Sequence, residues 1–319
     1  MIPPACPSRR AVLRGGLTQL GVTIGGLALS GLARPVLAGE DARRRGGADL
    51  PLWIVSMDFG LAETLIEMGL PPIAIPNPDS WQQWVVEPAL PPGIVNLGAD
   101  REPNLELLAA LRPDLIVTTP YLDAIKPLLV RFAPTQTFSV YAPPPGEVYA
   151  RSVAATRALA ATVGRVEAGE ALIARAEAEM AAAREKFVAS GLAGRSLLIV
   201  NFLDTRHVRV YGAGSLFGDV LERCGLVNGW TRKTSYWGFS TVGIEDLAQS
   251  PASSLLYLEP ISADTLDKLA ASPLWNSLAF VKAGRVHRLP PVLMFGMLPS
   301  AMRFARQISR VLEGTRADG

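Results

Sequence analysis

The chain has 319 residues, of which 49% are hydrophobic and 19% charged; that is enough apolar material for one large core or two moderate ones, and it excludes a disordered or fibrous class. The formal charge of +2 is concentrated at the front, because residues 1–38 hold four arginines and no acids; without them 27 basic residues face 29 acidic ones, a charge of −2. No basic stripe remains that would attract nucleic acid.

Ser8-Arg9-Arg10-Ala11-Val12-Leu13-Arg14 precedes a Gly-rich apolar stretch over 15–32 and then Val36-Leu37-Ala38. This is the pattern of a twin-arginine export signal cleaved after Ala38, and it implies passage through the twin-arginine translocase into the periplasm. The apolar run is too short, and too broken by Gly, Thr, Gln and Ser, to span a bilayer comfortably. Residues 39–50, with Arg43-Arg44-Arg45, read as a flexible tail. Cys6 leaves with the signal and lies where no lipid-attachment motif could stand. Cys224 is then without a disulfide partner, so stability must come from packing.

From Leu52 short apolar runs alternate with helical periodicity: Trp53-Ile54-Val55 before Ala62 to Met68, Ile73-Ala74-Ile75, and Leu105 to Leu111 before Leu115-Ile116-Val117. That rhythm predicts an α/β fold with a largely parallel sheet. Pro143-Pro144-Pro145-Gly146 closes the first half, and the Ala-, Glu- and Arg-rich segment that follows predicts one helix over 147–163 and a second over 167–189, divided at Gly164 and Gly169. The α/β rhythm restarts after Gly191 with Leu197-Leu198-Ile199-Val200 and Val208-Arg209-Val210-Tyr211. A helix over Ser215 to Cys224 and a C-terminal helix over 300–312 complete this half. The expected organisation is an N-terminal α/β lobe over 51–146, a connecting helix over 147–165 and a C-terminal α/β lobe over 166–319. The ligand is expected in the crevice between the lobes, at the carboxyl ends of the strands.

Catalytic apparatus is thin. There is no Gly-x-Gly-x-x-Gly after the first strand and no Walker loop. His207 and His287 are the only histidines, too few for a dedicated imidazole metal site. Asp204-Thr205-Arg206-His207 reads as a turn whose polar side chains satisfy backbone groups, and Ser215 reads as a helix N-cap rather than a nucleophile. An enzyme is therefore not expected, the weighed exception being an exported α/β enzyme, which would need a nucleophile beside a base. More telling are Trp81, Trp84, Tyr121, Trp230, Tyr236, Trp237 and Phe295, which fall in segments read as loops of both lobes and suggest an amphipathic pocket wall.

Six or more segments in register then resemble the periplasmic ferric-hydroxamate, or ferrichrome, binding proteins of ABC importers. They are Trp84-Val85-Val86-Glu87-Pro88-Ala89-Leu90-Pro91, Arg101-Glu102-Pro103-Asn104-Leu105-Glu106-Leu107-Leu108, Asp204-Thr205-Arg206-His207 through Tyr211-Gly212-Ala213-Gly214-Ser215-Leu216-Phe217, Trp237-Gly238, Pro273-Leu274-Trp275 through Ala283-Gly284-Arg285, and Ser300-Ala301-Met302. The resemblance implies two Rossmann-like lobes on a long connecting helix, a shallow cleft, little hinge motion and a monomer. It also implies no cofactor: the cargo is an iron(III)-siderophore, the iron is held by the siderophore without a protein ligand, and an inner-membrane permease receives it. A haem or cobalamin carrier on the same scaffold is the alternative.

Carried over residue by residue, the resemblance places Trp84 and Trp237 in the pocket. The family's arginine falls on Asp100, with Arg101 one step later, and its tyrosine falls on Leu122, with Tyr121 one step earlier. Either the loops shift by one residue, bringing Arg101 and Tyr121 into the cleft, or a different iron chelate is bound. Leu293 and Phe295 replace a more polar aromatic pair, so a more apolar wall is expected, with Tyr236 beside it. One glutamate per lobe, Glu106 and Glu245, is implied to dock on the permease, each at the opening of a helix.

Overall fold

The computed structural model describes residues 52–317. The export signal over 1–38 and the tail over 39–50 lie outside the described residues.

Five short strands form the first sheet: β1 (Ile54–Ser56), β2 (Ala74–Ile75), β3 (Val95–Asn96), β4 (Leu115–Thr118) and β5 (Thr135–Thr137), in the order β3-β2-β1-β4-β5. Every pairing is parallel. β1 and β4 read as continuous apolar runs because they are covered on both faces, and both are fully buried along their length. Helices α1 (Phe59–Glu67), α2 (Trp81–Trp84), α3 (Leu105–Leu111) and α4 (Lys126–Leu129) fill the crossovers. Asp58 caps α1, its Oδ1 accepting from the Leu61 N–H at 3.0 Å, and Asn104 caps α3 in the same way through the Leu107 N–H at 2.9 Å.

The breaker-poor segment folds as α5 (Val148–Thr162) and α6 (Val166–Ala189), divided at Gly164, whose φ of +66° favours glycine. The second sheet is mixed. It contains β6 (Ser196–Phe202), β7 (His207–Tyr211), β8 (Val227–Asn228), β9 (Phe239–Gly243), β10 (Ser254–Leu258) and β11 (Val286–Leu289), with α7 (Leu216–Arg223), α8 (Ala263–Ala270), α9 (Pro273–Ser277) and α10 (Ala279–Lys282) between them. The main path runs β11-β10-β6-β7-β9, and β8 pairs with the start of β6. The β6–β7 and β7–β9 pairings are antiparallel. The largely parallel expectation therefore holds for β11, β10, β6 and β8 and fails at β7, whose two pairings are both antiparallel. Asp204 is the reason: its Oδ1 accepts from the Arg206 and His207 N–H groups at 2.6 and 2.8 Å, closing a tight turn that no crossover helix could replace.

The final helix, α11 (Leu298–Ala317), packs on both halves. One continuous buried cluster runs from Ile54, Leu61 and Leu65 through Leu159, Leu172, Ala176 and Phe187 to Leu197, Ile199, Phe217, Phe304 and Ile308. The two sheets thus share a core through α5, α6 and α11. Behind it Glu87, on the loop after α2, meets Arg303 at 2.7 Å and Arg306 at 3.1 Å, and Arg306 reaches Glu179 of α6 at 2.9 Å. Burial works against ionised Glu87, but the two guanidinium groups outweigh it and hold its pKa below the usual range.

Candidate functional site

The carboxyl ends of the first sheet open into a cavity of about 500 Å³. One wall comes from the loops that follow its strands: Met57, Asp58 and Phe59 after β1, Pro76 and Asn77 after β2, Asp100 after β3, Thr119 to Leu122 after β4, and Val140 and Tyr141 after β5. The other wall is Arg209 of β7, Trp237 and Phe239 at the start of β9, and Leu293, Phe295 and Met297 between β11 and α11. This is the position that parallel strands leave for a ligand, since each crossover must leave the sheet there.

Aromatic rings line the junction of the lobes. Trp237 meets Tyr121 edge-on at 5.8 Å between centroids, stacks on Tyr141 at 6.1 Å and tilts against Phe295 at 5.3 Å. Tyr141 meets Phe295 edge-on at 5.5 Å, and its hydroxyl lies 3.2 and 3.0 Å from the carbonyls of Met294 and Gly296. Tyr141 is thereby tied across the cavity, and burial pushes its phenol well above the ordinary range. Trp237 owes its place to Gly238, whose φ is +78° and where an added Cβ would stand 2.4 Å from the Gly214 carbonyl oxygen. Only glycine lets the chain turn that close to α7.

Of the residues singled out from sequence, Trp84, Tyr121, Trp237 and Phe295 come together on this cavity. Tyr236 is exposed and stands behind Trp237, centroid to centroid at 4.7 Å, without lining the space. Asp100, not Arg101, lines the cavity; Arg101 lies outside it with its guanidinium 4.3 Å from the centre of the Tyr121 ring. The two halves of the expected loop shift therefore part company, Tyr121 entering the wall while Arg101 holds it from outside. Trp81 and Trp230 are core residues rather than pocket wall, each almost fully buried. In the helical turn Trp81–Trp84 the first indole points inward and donates to the Pro88 carbonyl at 2.8 Å, which leaves the fourth at the cavity.

Among the lining residues that escaped the sequence reading are Asp58, Tyr141, Arg209 and Phe239. Asp58 had a signal, a cap residue straight after a buried strand. Burial pushes its carboxyl up to about 6; the Leu61 and Gly60 N–H groups oppose that rise and the Asp100 charge adds to it. Tyr141 lay beside the proline run with no motif to mark it.

Glu106 is exposed in the first turn of α3. Glu245 is exposed too, but it opens a short 3-10 turn, Ile244–Gln249, rather than the α-helix expected there. Neither makes an ion pair among the described residues. His207 is exposed beside Asp204, and the described residues contain no group of three or more His, Cys, Asp or Glu side chains placed to hold a metal ion. No helix among them is long and apolar enough to cross a membrane.

A family model described as periplasmic binding protein matches residues 54–293. The iron(3+)-hydroxamate-binding protein FhuD of Escherichia coli K12 is 31% identical over 264 residues, which cover 83% of this chain and 88% of that protein. The siderophore-binding protein FhuD of Vibrio cholerae, solved with Fe3+-Desferal, superposes with a TM-score of 0.78 at 25% identity, over 82% of this chain and 98% of that one. FhuD2 of Staphylococcus aureus, solved with ferrioxamine B, shares the fold at a TM-score of 0.65 and 16% identity, over 82% and 97% of the two chains.

Proposed function

The chain belongs to the periplasmic binding protein family, and on that premise we propose that it captures an iron(III)-siderophore of the hydroxamate type and delivers it to an inner-membrane ABC permease. The observation that carries this reading is the wall itself. Trp84, Tyr121, Tyr141, Trp237, Phe239 and Phe295 surround a space of chelate size with few polar groups among them. Such a surface suits the apolar periphery of a wrapped iron centre, and the described residues hold no group of three or more His, Cys, Asp or Glu side chains placed to grip a bare ion. Iron enters as cargo already coordinated, and the chain supplies shape, stacking and a small number of charges. Twin-arginine export and a periplasmic location, both supported by the sequence pattern of residues 1–38, and a monomeric carrier are the remaining parts of the proposal.

Tryptophan fluorescence titrated with a panel of ferric hydroxamates, ferric catecholates, haem and cobalamin tests it. Ferric hydroxamates should quench at the lowest concentration, because Trp84 and Trp237 lie in the wall. The iron-free chelator should bind much more weakly, since it must lose the conformational freedom that the metal has already removed. Trp84→Ala and Trp237→Ala should each weaken binding by about 1 to 3 kcal/mol through lost stacking and apolar contact. Tighter binding of haem or cobalamin than of any hydroxamate would overturn the assignment.

A further inference from the structure

The charged side chains of the cavity are segregated by lobe. Asp58 and Asp100 stand on the first-sheet wall and Arg209 on the second. None of the three enters an ion pair among the described residues. Arg209 is held by its surroundings rather than by a counter-charge. Its guanidinium lies 4.3 Å from the centre of the Phe239 ring, Nη1 reaches the Met294 sulfur at 3.0 Å, and Nε is buried without an acceptor. A thioether is a weak acceptor, so most of the five guanidinium donors remain unspent at the cavity. A buried donor without a partner is costly, and an acceptor brought by a ligand removes that cost. On the opposite wall the Asp58 and Asp100 oxygens accept from the Leu61 and Arg101 N–H groups, at 3.0 and 2.8 Å, and neither carboxylate is paired with Arg209, the one basic residue of the lining. Neutral cargo would cover those carboxylates and strip them of water with nothing in return.

We propose, building on the function above, that the cavity is dipolar by construction: Arg209 takes the iron-bound hydroxamate oxygens while Asp58 and Asp100 take a cationic arm, so the preferred cargo is a ferric trihydroxamate carrying a protonated amine. In the resembling family the arginine is implied at the place of Asp100; in this chain the cation stands on the other lobe and the acid has taken its position. A charged arm against two carboxylates in an aromatic wall is attracted more strongly than it would be in open water.

The ferric complex of desferrioxamine B, which ends in a protonated amine, and the ferric complex of its N-acetyl derivative, identical but uncharged there, separate the contributions. Quenching titrations at neutral pH and low salt should favour the amine form by roughly tenfold. Asp100→Asn and Asp58→Asn should bring the ratio of the two affinities close to one; asparagine keeps the α1 cap at position 58. Arg209→Met should weaken both complexes by roughly tenfold or more while the ratio persists, with Arg209→Lys recovering part of the loss and thermal unfolding confirming that each variant is folded. Equal affinity of the parent for the two complexes, or an Arg209→Met protein that binds both as the parent does, would overturn this inference and leave the siderophore-carrier function standing. Failure of both complexes to bind, with haem or cobalamin binding and no ferric hydroxamate of the panel doing so, would overturn the two together.

Discussion

The double variant Glu106→Ala, Glu245→Ala is expected to bind its ferric siderophore like the parent and to support no siderophore-dependent uptake. Both carboxylates are exposed, one on each lobe, and both stand away from the cavity lining. Neither pairs with a cation among the described residues, which leaves them available to an outside partner. A charge-assisted contact to an arginine is worth about 1.5 to 3 kcal/mol, so losing one on each lobe should weaken docking by roughly 100-fold or more. Such rim charges act mainly on association and are screened by salt, which makes the defect relative to the parent strongest at low ionic strength. Each single variant should retain intermediate uptake. The measurement is growth on the ferric siderophore as iron source, set beside fluorescence titration of the purified protein. Normal growth of the double variant would refute docking through this pair, and lost ligand binding would place the glutamates in the fold or the cleft instead.

Glu63→Ala is expected to destabilise the chain by about 3 to 5 kcal/mol, a large part of a typical domain's stability. Glu63 lies on α1, fully buried, and its carboxyl accepts from the N–H of Met297 at 2.8 Å, the N–H of Ser300 at 3.3 Å and the Ser300 hydroxyl at 2.7 Å. It thereby ties the first lobe to the start of α11, and alanine would leave those donors orphaned beside a void. Urea denaturation reads the loss directly.

The same residue sets a pH dependence. Burial pushes the Glu63 carboxyl up from near 4.5 to about 8, against the favourable hydrogen bonds of Met297 and Ser300. The folded chain therefore holds a proton that the unfolded chain has already released across that window. Stability contributed by the protonated group is fully present below about 4.5 and is lost as pH rises through about 8. Asp58, raised from 3.8 to about 6, acts in the same direction over a lower range. Glu63→Gln keeps the shape and one acceptor and cannot ionise, so its stability should rise relative to the parent by on the order of 2 to 4 kcal/mol between pH 5 and pH 8. Parallel stability curves for the two proteins would show that Glu63 does not titrate as described.

Much of the scaffold was legible because its signals are local. The buried strands Ile54–Ser56 and Leu115–Thr118 announce themselves as apolar runs, Ser215 as a cap, and Asp204 as a turn residue that answers its own backbone. The cavity was only half legible, because its walls are assembled from five loops of one sheet and three separated segments of the other half. Strand alternation tells that His207, Arg209 and Tyr211 share one face of β7, but not that this face meets Asp58 across a crevice. Trp81 and Trp84 illustrate the converse limit: a four-residue helical turn, too short to show a period, sends one indole into the core and the other to the cavity. Glu245 likewise looked like a helix start, although its Gly243-to-Ser250 segment closes after a single 3-10 stretch.

The shared core and the Glu87–Arg303–Arg306–Glu179 brace also bear on traffic at the membrane. Opening or closing the crevice would have to shear a packed interior common to both sheets and part ion pairs anchored on three separate segments. Cargo is then expected to enter a preformed mould, with the distance between Glu106 and Glu245 the same whether the mould is full or vacant. A transporter that gauges only that spacing receives no announcement of occupancy. Vacant carriers stand in the same queue as loaded ones, so supply of carrier beyond supply of siderophore slows import, and the ratio of the two in the compartment becomes the throttle.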